Sequence, residues 1–77
     1  MTEQEWRDEF GRNLAGLLYE TRMTQKDLAE VSGATESDIS RYIGGTQTPT
    51  ATTIVNLSYA LNCDYDDLID FGEPVTR

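Results

Sequence analysis

The sequence predicts an all-helical domain, and two kinds of signal support that prediction. Four helix starts are assigned where a Thr or Asp precedes an acidic residue by three positions, a pattern in which both side chains cap backbone amides at a helix N-terminus. These pairs are Thr2 with Glu5, Thr24 with Asp27, Thr35 with Asp38, and Asp64 with Asp67. Thr50, directly after Pro49, gives a fifth start. Strand alternation and repeats are absent from the sequence, so its 77 residues are expected to form five helices.

Apolar residues at helical spacing follow each start, and a stop signal follows most of them. The first helix is expected over about 3–21, with an apolar stripe of Trp6, Phe10, Leu14, Leu17, Leu18 and Thr21. The second, about 25–31, ends before Ser32-Gly33, and the third, about 36–43, ends at Gly44-Gly45, because glycine readily takes the left-handed conformation after a helix. The fourth and fifth are expected over about 51–61 and 65–71. The core-facing residues expected there are Ile54, Leu57, Ser58, Leu61, Leu68 and Ile69, and Asn62 can close the fourth helix.

The chain is acidic, with a net charge of -8. Most of that charge lies in residues 1–11 and 64–77, whereas residues 12–63 are nearly neutral. Binding to nucleic acid or to an anionic membrane through charge alone requires clustered Lys and Arg, so the overall charge disfavours both. It leaves open a more selective contact made by the neutral middle of the chain.

Composition also argues against catalysis. The sequence contains no His, and its single Cys63 cannot form an intramolecular disulfide. We therefore expect no enzyme activity, no metal site and no cofactor. Because no apolar run approaches the length of a membrane span or a signal sequence, a cytoplasmic protein without a membrane partner is expected. Trp6, Phe10 and Cys63 are interpreted as core residues rather than ligand-binding ones.

The middle of the chain carries an ordered set of motifs. The segment MTQKDLAEVSGATESDISRYIGGTQTPTATTIVNLSYALNCDYDDLI places two short helices around Gly33, anchored by Leu28, Ala29, Ile39 and Tyr42. From about Phe10 to Ile69 the sequence resembles the Cro/repressor-type (XRE-like) helix-turn-helix family of phages and bacteria. The resemblance implies a compact five-helix bundle of the lambda-repressor-like type. One domain over 1–77 is expected, with the helix-turn-helix unit at about 24–43 and short acidic ends.

The resemblance also implies a DNA-binding surface, in which the third helix lies in the major groove. By position, the residues that would read base edges are Glu36, Ser37, Ser40 and Arg41. The residues that would contact phosphates are Gln25, Lys26, Arg22, Thr35, Thr46 and Thr48, with Arg12 a further possibility. The alternative for Arg12, Arg22 and Lys26 is an ordinary surface cation paired with Glu20 or Glu30.

Two departures from the family pattern bear on function. The loop that often carries Lys or Arg to phosphates is here Thr46, Gln47 and Thr48, so DNA binding by one monomer is expected to be weak. Where many members pair an Arg with a Glu, this sequence has Leu18 and Ile43, which we predict to be in contact.

Two acidic residues on the third helix have different interpretations. We predict that Asp38 completes a capping box with Thr35 rather than facing DNA. Glu36, at the first helical position, either benefits from the helix dipole or accepts a hydrogen bond from cytosine. Arg41 is the only cation on this helix, which favours a guanine or phosphate contact.

Apolar residues remain on the last two helices after the core is assigned. Val55, Tyr59 and Phe71 are predicted to form a homodimer contact, although a small domain that uses every apolar residue for its core is the alternative.

The sequence is therefore compatible with two functions. The first is a sequence-specific transcriptional regulator, a repressor of phage or mobile-element type that binds a double-stranded DNA operator as a homodimer. The second is an acidic protein-interaction module of the same fold, such as an antirepressor or an antitoxin-like partner. Net charge favours the second function, whereas Gln25 and Arg41 within an intact helix-turn-helix favour the first.

Overall fold

A computed structural model describes residues 1–70, and within them the chain is all-helical. The helices are α1 (Glu3–Thr21), α2 (Gln25–Ser32), α3 (Glu36–Gly44), α4 (Ala51–Ala60) and α5 (Tyr65–Ile69). The predicted fold class is thus confirmed. The fifth helix is shorter than expected, because Asp70 has an extended backbone and ends it after Ile69.

The predicted caps set most of these helix starts. Thr2 and Thr24 each accept from the backbone amide three residues on, and Glu5 and Asp27 accept in return from the cap amides at 2.7 and 3.1 Å. Asp67 likewise accepts from the Asp64 amide at 3.1 Å. Thr50 accepts from the amide of Thr53 at 3.1 Å. Local hydrogen bonding therefore fixes where α1, α2, α4 and α5 begin.

The prediction that Asp38 completes a capping box with Thr35 was wrong, because only one of its two hydrogen bonds forms. Thr35 does accept from the Asp38 amide at 3.0 Å. The carboxylate of Asp38, however, accepts from Arg41 Nη1 at 3.4 Å and from Gln47 Nε2 at 3.2 Å. Two side-chain donors on the C-terminal side thus draw the Asp38 carboxylate away from the start of the helix.

One hydrophobic core joins all five helices. Its buried members are Phe10, Leu14, Leu18, Leu28, Ile39, Tyr42, Leu57, Leu61 and Leu68. Partly buried residues pack around them, including Trp6, Leu17, Ala29, Ile43, Ile54, Cys63 and Ile69. Thr21, predicted to belong to the stripe of α1, is instead exposed, and its hydroxyl donates to the carbonyl of Leu17 at 2.8 Å. Leu18 and Ile43 belong to this core assembly, and their direct contact stays a prediction.

Helix α1 supports the C-terminal half of α3 through a close backbone approach. A Cβ added at Gly11 would lie 2.6 Å from the carbonyl oxygens of both Tyr42 and Ile43. The Phe10 ring stacks on Trp6 at 5.4 Å and meets the edge of Tyr42 at 6.0 Å. Only glycine allows this approach, so Gly11 determines how closely α3 packs on α1.

The turns between helices use left-handed residues, as glycine and asparagine signals predicted. Gly33 and Gly45 follow α2 and α3 with φ of 82° and 74°. Asn62 closes the end of α4 with φ of 56°, and Arg22 follows α1 with φ of 59°. Helix α2 packs against α3 and α4, while α1 packs against α3 and α5. One surface of α3 therefore stays uncovered.

Candidate nucleic-acid interface

The uncovered surface of α3 carries the four residues predicted to read bases. Glu36, Ser37, Ser40 and Arg41 are all exposed, while Ile39 and Tyr42 on the opposite side are buried. Spacings of one, four and five residues bring the four side chains onto one side of the helix. We call these four residues the reading face.

A hydrogen-bond network links the reading face to the loop that follows it. The Asp38 carboxylate accepts from Arg41 within α3 and from Gln47, which lies nine positions further along the chain in the loop. The hydroxyl of Thr46 donates to the carbonyl of Arg41 at 3.3 Å. The loop is thus held against the end of α3, and Arg41 lies beside a carboxylate that restricts its side chain.

The residues predicted to contact phosphates differ in their exposure and in the hydrogen bonds that they already make. Gln25 is the first residue of α2 and is partly buried, whereas Lys26 and Arg22 are exposed. Thr35 uses its hydroxyl as a helix cap. Thr46 and Thr48 are exposed, and the hydroxyl of Thr48 accepts from Arg7 Nη1 at 3.3 Å.

The alternative pairings proposed for the surface cations are not found. Among residues 1–70, the ion pairs are Arg7 with Glu3, Arg12 with Glu9, and Arg41 with Asp38. Arg22 and Lys26 join none of these pairs, so neither is paired with Glu20 or Glu30. Arg12 is paired at 2.6 Å with Glu9 one turn earlier on α1, and within residues 1–70 it has no hydrogen bond to α3 or to the loop after it, so it is not kept as a phosphate contact.

Arg7 is the residue that sequence reasoning missed. Its Nε donates to the carbonyl of Gly45 at 3.3 Å, and its Nη1 reaches Thr48. The i,i+4 spacing from Glu3 was visible in the sequence, but it indicated only a helix-surface ion pair. The contact with residues 45–48 arises from the packing of α1 on α3, which no local spacing reveals.

Hydrogen bonding and burial shift the pKa of three groups. Backbone hydrogen bonds from Thr2 and Thr24 lower the pKa of Glu5 and of Asp27, because they stabilise the ionised carboxylates. Burial, with smaller effects from Asp67 and Asp64, raises the pKa of the Cys63 thiol. A neutral, partly buried thiol agrees with the prediction that Cys63 is a packing residue.

A second surface feature lies between α4 and α5. Ala51, Ile54, Val55, Tyr65 and Ile69 line an open groove, which we call the apolar groove. Val55 is 39% exposed and Tyr65 is 53% exposed. Tyr59, which is 79% exposed, lines a separate depression together with Cys63, Asp64 and Asp67. Phe71, the third predicted dimer residue, lies outside the described residues.

Residues 1–70 contain no group of three His, Cys, Asp or Glu side chains arranged to hold a metal ion. The helices of that segment also include none with the length and apolar character needed to cross a bilayer.

Comparisons with known proteins agree with this geometry. Residues 13–73 match the family model of the Cro/C1-type HTH DNA-binding domain. Among curated protein sequences, none matches the chain significantly. Solved structures that are similar to this chain include a controller protein and a helix-turn-helix regulator, both from bacteria.

The first is the restriction-modification controller protein C.AhdI from Aeromonas hydrophila. It superposes with a TM-score of 0.78 at 26% identity, over 80% of this chain and 94% of that one. The second is an HTH_3 family transcriptional regulator from Vibrio cholerae, with a TM-score of 0.85 at 14% identity. That match covers 90% of this chain but 39% of the regulator, so it bears on the fold alone.

The family match includes α2, α3, α4 and α5 and the C-terminal part of α1 (residues 13–21), which together hold the reading face and helices that support it. The chain therefore belongs to the family of Cro/C1-type helix-turn-helix DNA-binding domains.

Proposed function

We propose that this protein is a sequence-specific transcriptional regulator that binds a double-stranded DNA operator as a homodimer. One observation carries the proposal: the helix-turn-helix holds four exposed polar residues of α3 on one face, with Arg41 as their cation. Arg can donate two hydrogen bonds to guanine in the major groove. Ser37 and Ser40 can donate or accept, and Glu36 can accept from cytosine N4.

The phosphate-binding part of the proposal rests on the residues around that face. The start of α2, where Gln25 and Lys26 lie, presents backbone amides to one strand. Arg22 and the hydroxyls of Thr46 and Thr48 are exposed, so they can add further phosphate contacts. Thr35 contributes by fixing the start of α3, since its hydroxyl is already a cap acceptor. Few of these groups are charged, so affinity is expected to be weak in one protomer.

Dimerisation compensates for this weakness. The apolar groove provides a surface whose burial against a second copy would be favourable, with Val55 at its exposed edge and Tyr59 one turn further along α4. A twofold pair places two reading faces on half-sites about one helical turn apart, roughly 34 Å. Occupying such an operator is the mode of action of a repressor of phage or mobile-element type. The likeness to a restriction-modification controller supports a regulator.

Selection from a pool of random duplex DNA at about 20 mM salt tests this function. We expect enrichment of a palindromic motif that Arg41→Ala no longer enriches, since loss of a bidentate base contact costs about 1–3 kcal/mol per half-site. Arg12→Ala removes the same charge from the exposed end of an ion pair on α1 and should leave the motif unchanged. If wild-type protein retains no duplex, DNA binding is rejected.

A second function is favoured by the net charge of -8. The depression lined by Tyr59, Asp64 and Asp67 combines an exposed aromatic ring with carboxylates. A basic protein segment would fit such a surface, as expected for an antirepressor or an antitoxin-like partner. The selection separates the two functions, because a protein-binding module would enrich no DNA motif.

A further inference from the structure

The loop after α3 lacks positive charge of its own. Its residues Gly45, Thr46, Gln47 and Thr48 carry no Lys or Arg, although this loop borders the reading face. Hydroxyl groups and backbone amides can bind phosphate, but they release no counterions when they do so. A cation near this loop would therefore change both the affinity for DNA and its dependence on salt.

Arg7 of α1 provides a cation at that place. Its guanidinium donates to the Gly45 carbonyl and to the Thr48 hydroxyl, both at 3.3 Å. Gln4 supports this arrangement: its Oε1 accepts from Arg7 Nη2 at 2.9 Å and its Nε2 donates to the Gly45 carbonyl at 2.9 Å. With 22% of its side chain exposed, Arg7 is held in one orientation but still reaches solvent.

Glu3 completes the surroundings of this guanidinium. Its carboxylate lies 3.1 Å from Arg7 Nη1 and is 74% exposed, so the pair is open to solvent. Exposed ion pairs are weak, and a phosphate can replace the carboxylate because both offer anionic oxygens to the planar fork. The other nearby carboxylate, Asp8, accepts from Gln4 Nε2 at 2.9 Å. Glu3 thus occupies the position in which a phosphate oxygen would bind Arg7.

We propose that Arg7 is the cation of this loop and that a DNA phosphate displaces Glu3 from its guanidinium beside Thr48. The inference rests on the proposed function. It assigns to α1 a phosphate contact that neither the reading face nor the loop supplies. Arg12 on the same helix is not held in this way, because its side chain is 68% exposed and, within residues 1–70, its guanidinium bonds only to Glu9.

The experiment measures how DNA affinity depends on salt, with the full chain and the duplex enriched in the selection. For Arg7→Gln we expect binding to weaken about equally on all sequences, and the slope of log K against log salt to fall by about 0.9 per protomer. Arg12→Gln makes the same change of charge on α1 and should leave the slope unchanged. An unchanged slope in Arg7→Gln, or equal effects of the two substitutions, overturns the proposal.

A second pair of variants decides the matter if Arg7→Gln does not fold. Glu3→Gln keeps every contact between Arg7 and the loop, and it removes the carboxylate that competes with phosphate for Arg7. We expect Glu3→Gln to tighten DNA binding more than Glu9→Gln, which frees Arg12 in the same way. Equal tightening by the two variants contradicts the proposal.

The outcomes also separate this inference from the proposed function. If wild-type protein retains no duplex, the proposed function and the role of Arg7 are both rejected. If wild-type protein binds a motif that depends on Arg41, while Arg7→Gln behaves like Arg12→Gln, only the role of Arg7 is rejected.

Discussion

The reading face on α3 and the apolar groove between α4 and α5 hold their side chains in different ways. Around the reading face, hydrogen bonds from Asp38 and Thr46 restrain Arg41 and the following loop. In the apolar groove, Ile54 and Ile69 are continuous with the core, while Val55 stays at the surface. The first surface has polar groups in defined positions but little charge, and the second has apolar area but no such groups.

This difference separates two requirements of a DNA-binding regulator. Polar groups in fixed positions discriminate between bases, but one cation per face contributes little to affinity. Apolar burial contributes free energy without sequence information. If the groove joins two copies, the second protomer meets its half-site at a high effective concentration. Weak contacts in each protomer are then sufficient for the dimer to bind the operator. Specificity and affinity would then depend on different helices.

The largest expected effect comes from placing a charge in the apolar groove. Val55→Glu should convert the proposed dimer to a monomer in sedimentation equilibrium, because dimerisation would bury an unpaired carboxylate. Operator affinity should then fall by about 10²–10⁴-fold, the gain that linked binding provides. Val31→Glu is the matched control, since Val31 is 61% exposed on α2. A wild-type protein that stays monomeric at high concentration would refute the dimer.

A smaller effect is expected from the support of α3 on α1. Gly11→Ala places a methyl group against the carbonyls of Tyr42 and Ile43, so it should lower the free energy of unfolding by about 1–3 kcal/mol. Gly16→Ala meets no atom within 4 Å and should raise that free energy by about 0.5–1 kcal/mol. Urea unfolding followed by circular dichroism measures both. Equal changes in the free energy of unfolding of the two variants would show that the close approach of α3 to Gly11 does not affect stability.

The smallest effect is expected from Asp38, which restrains the reading face. Asp38→Ala leaves the Thr35 cap intact but frees Arg41 and Gln47. Discrimination at the base pair read by Arg41 should decrease by about 0.2–1 kcal/mol, the range of an exposed ion pair. Competition between operators that differ at that base pair measures the change. Asp66→Ala removes the same charge from α5, and an identical response would exclude a positioning role for Asp38.

Local sequence signals were sufficient for the helices and for most of the core. The capping pairs at Thr2 and Thr24 and the left-handed Gly33 and Gly45 act between near neighbours, so their spacing in the sequence already defines them. The same is true of apolar residues at helical spacing, whose side chains must be buried together. Asp38 shows where this reasoning stops, because a donor nine residues away, Gln47, competed with the local cap.

The sequence by itself determined the all-helical fold, the helix-turn-helix and the exposed face of α3, since each follows from hydrogen bonds and packing within one or two turns. Only the tertiary structure decided that Gly11 adjoins the end of α3 and that Arg7 reaches the loop after it. From Arg7, these contacts reach Gly45, 38 positions along the chain, and Thr48, 41 positions along it. Helical periodicity predicts which side of α1 is buried, but the angle and depth at which α1 packs on α3 decide which polar side chains meet at the edge.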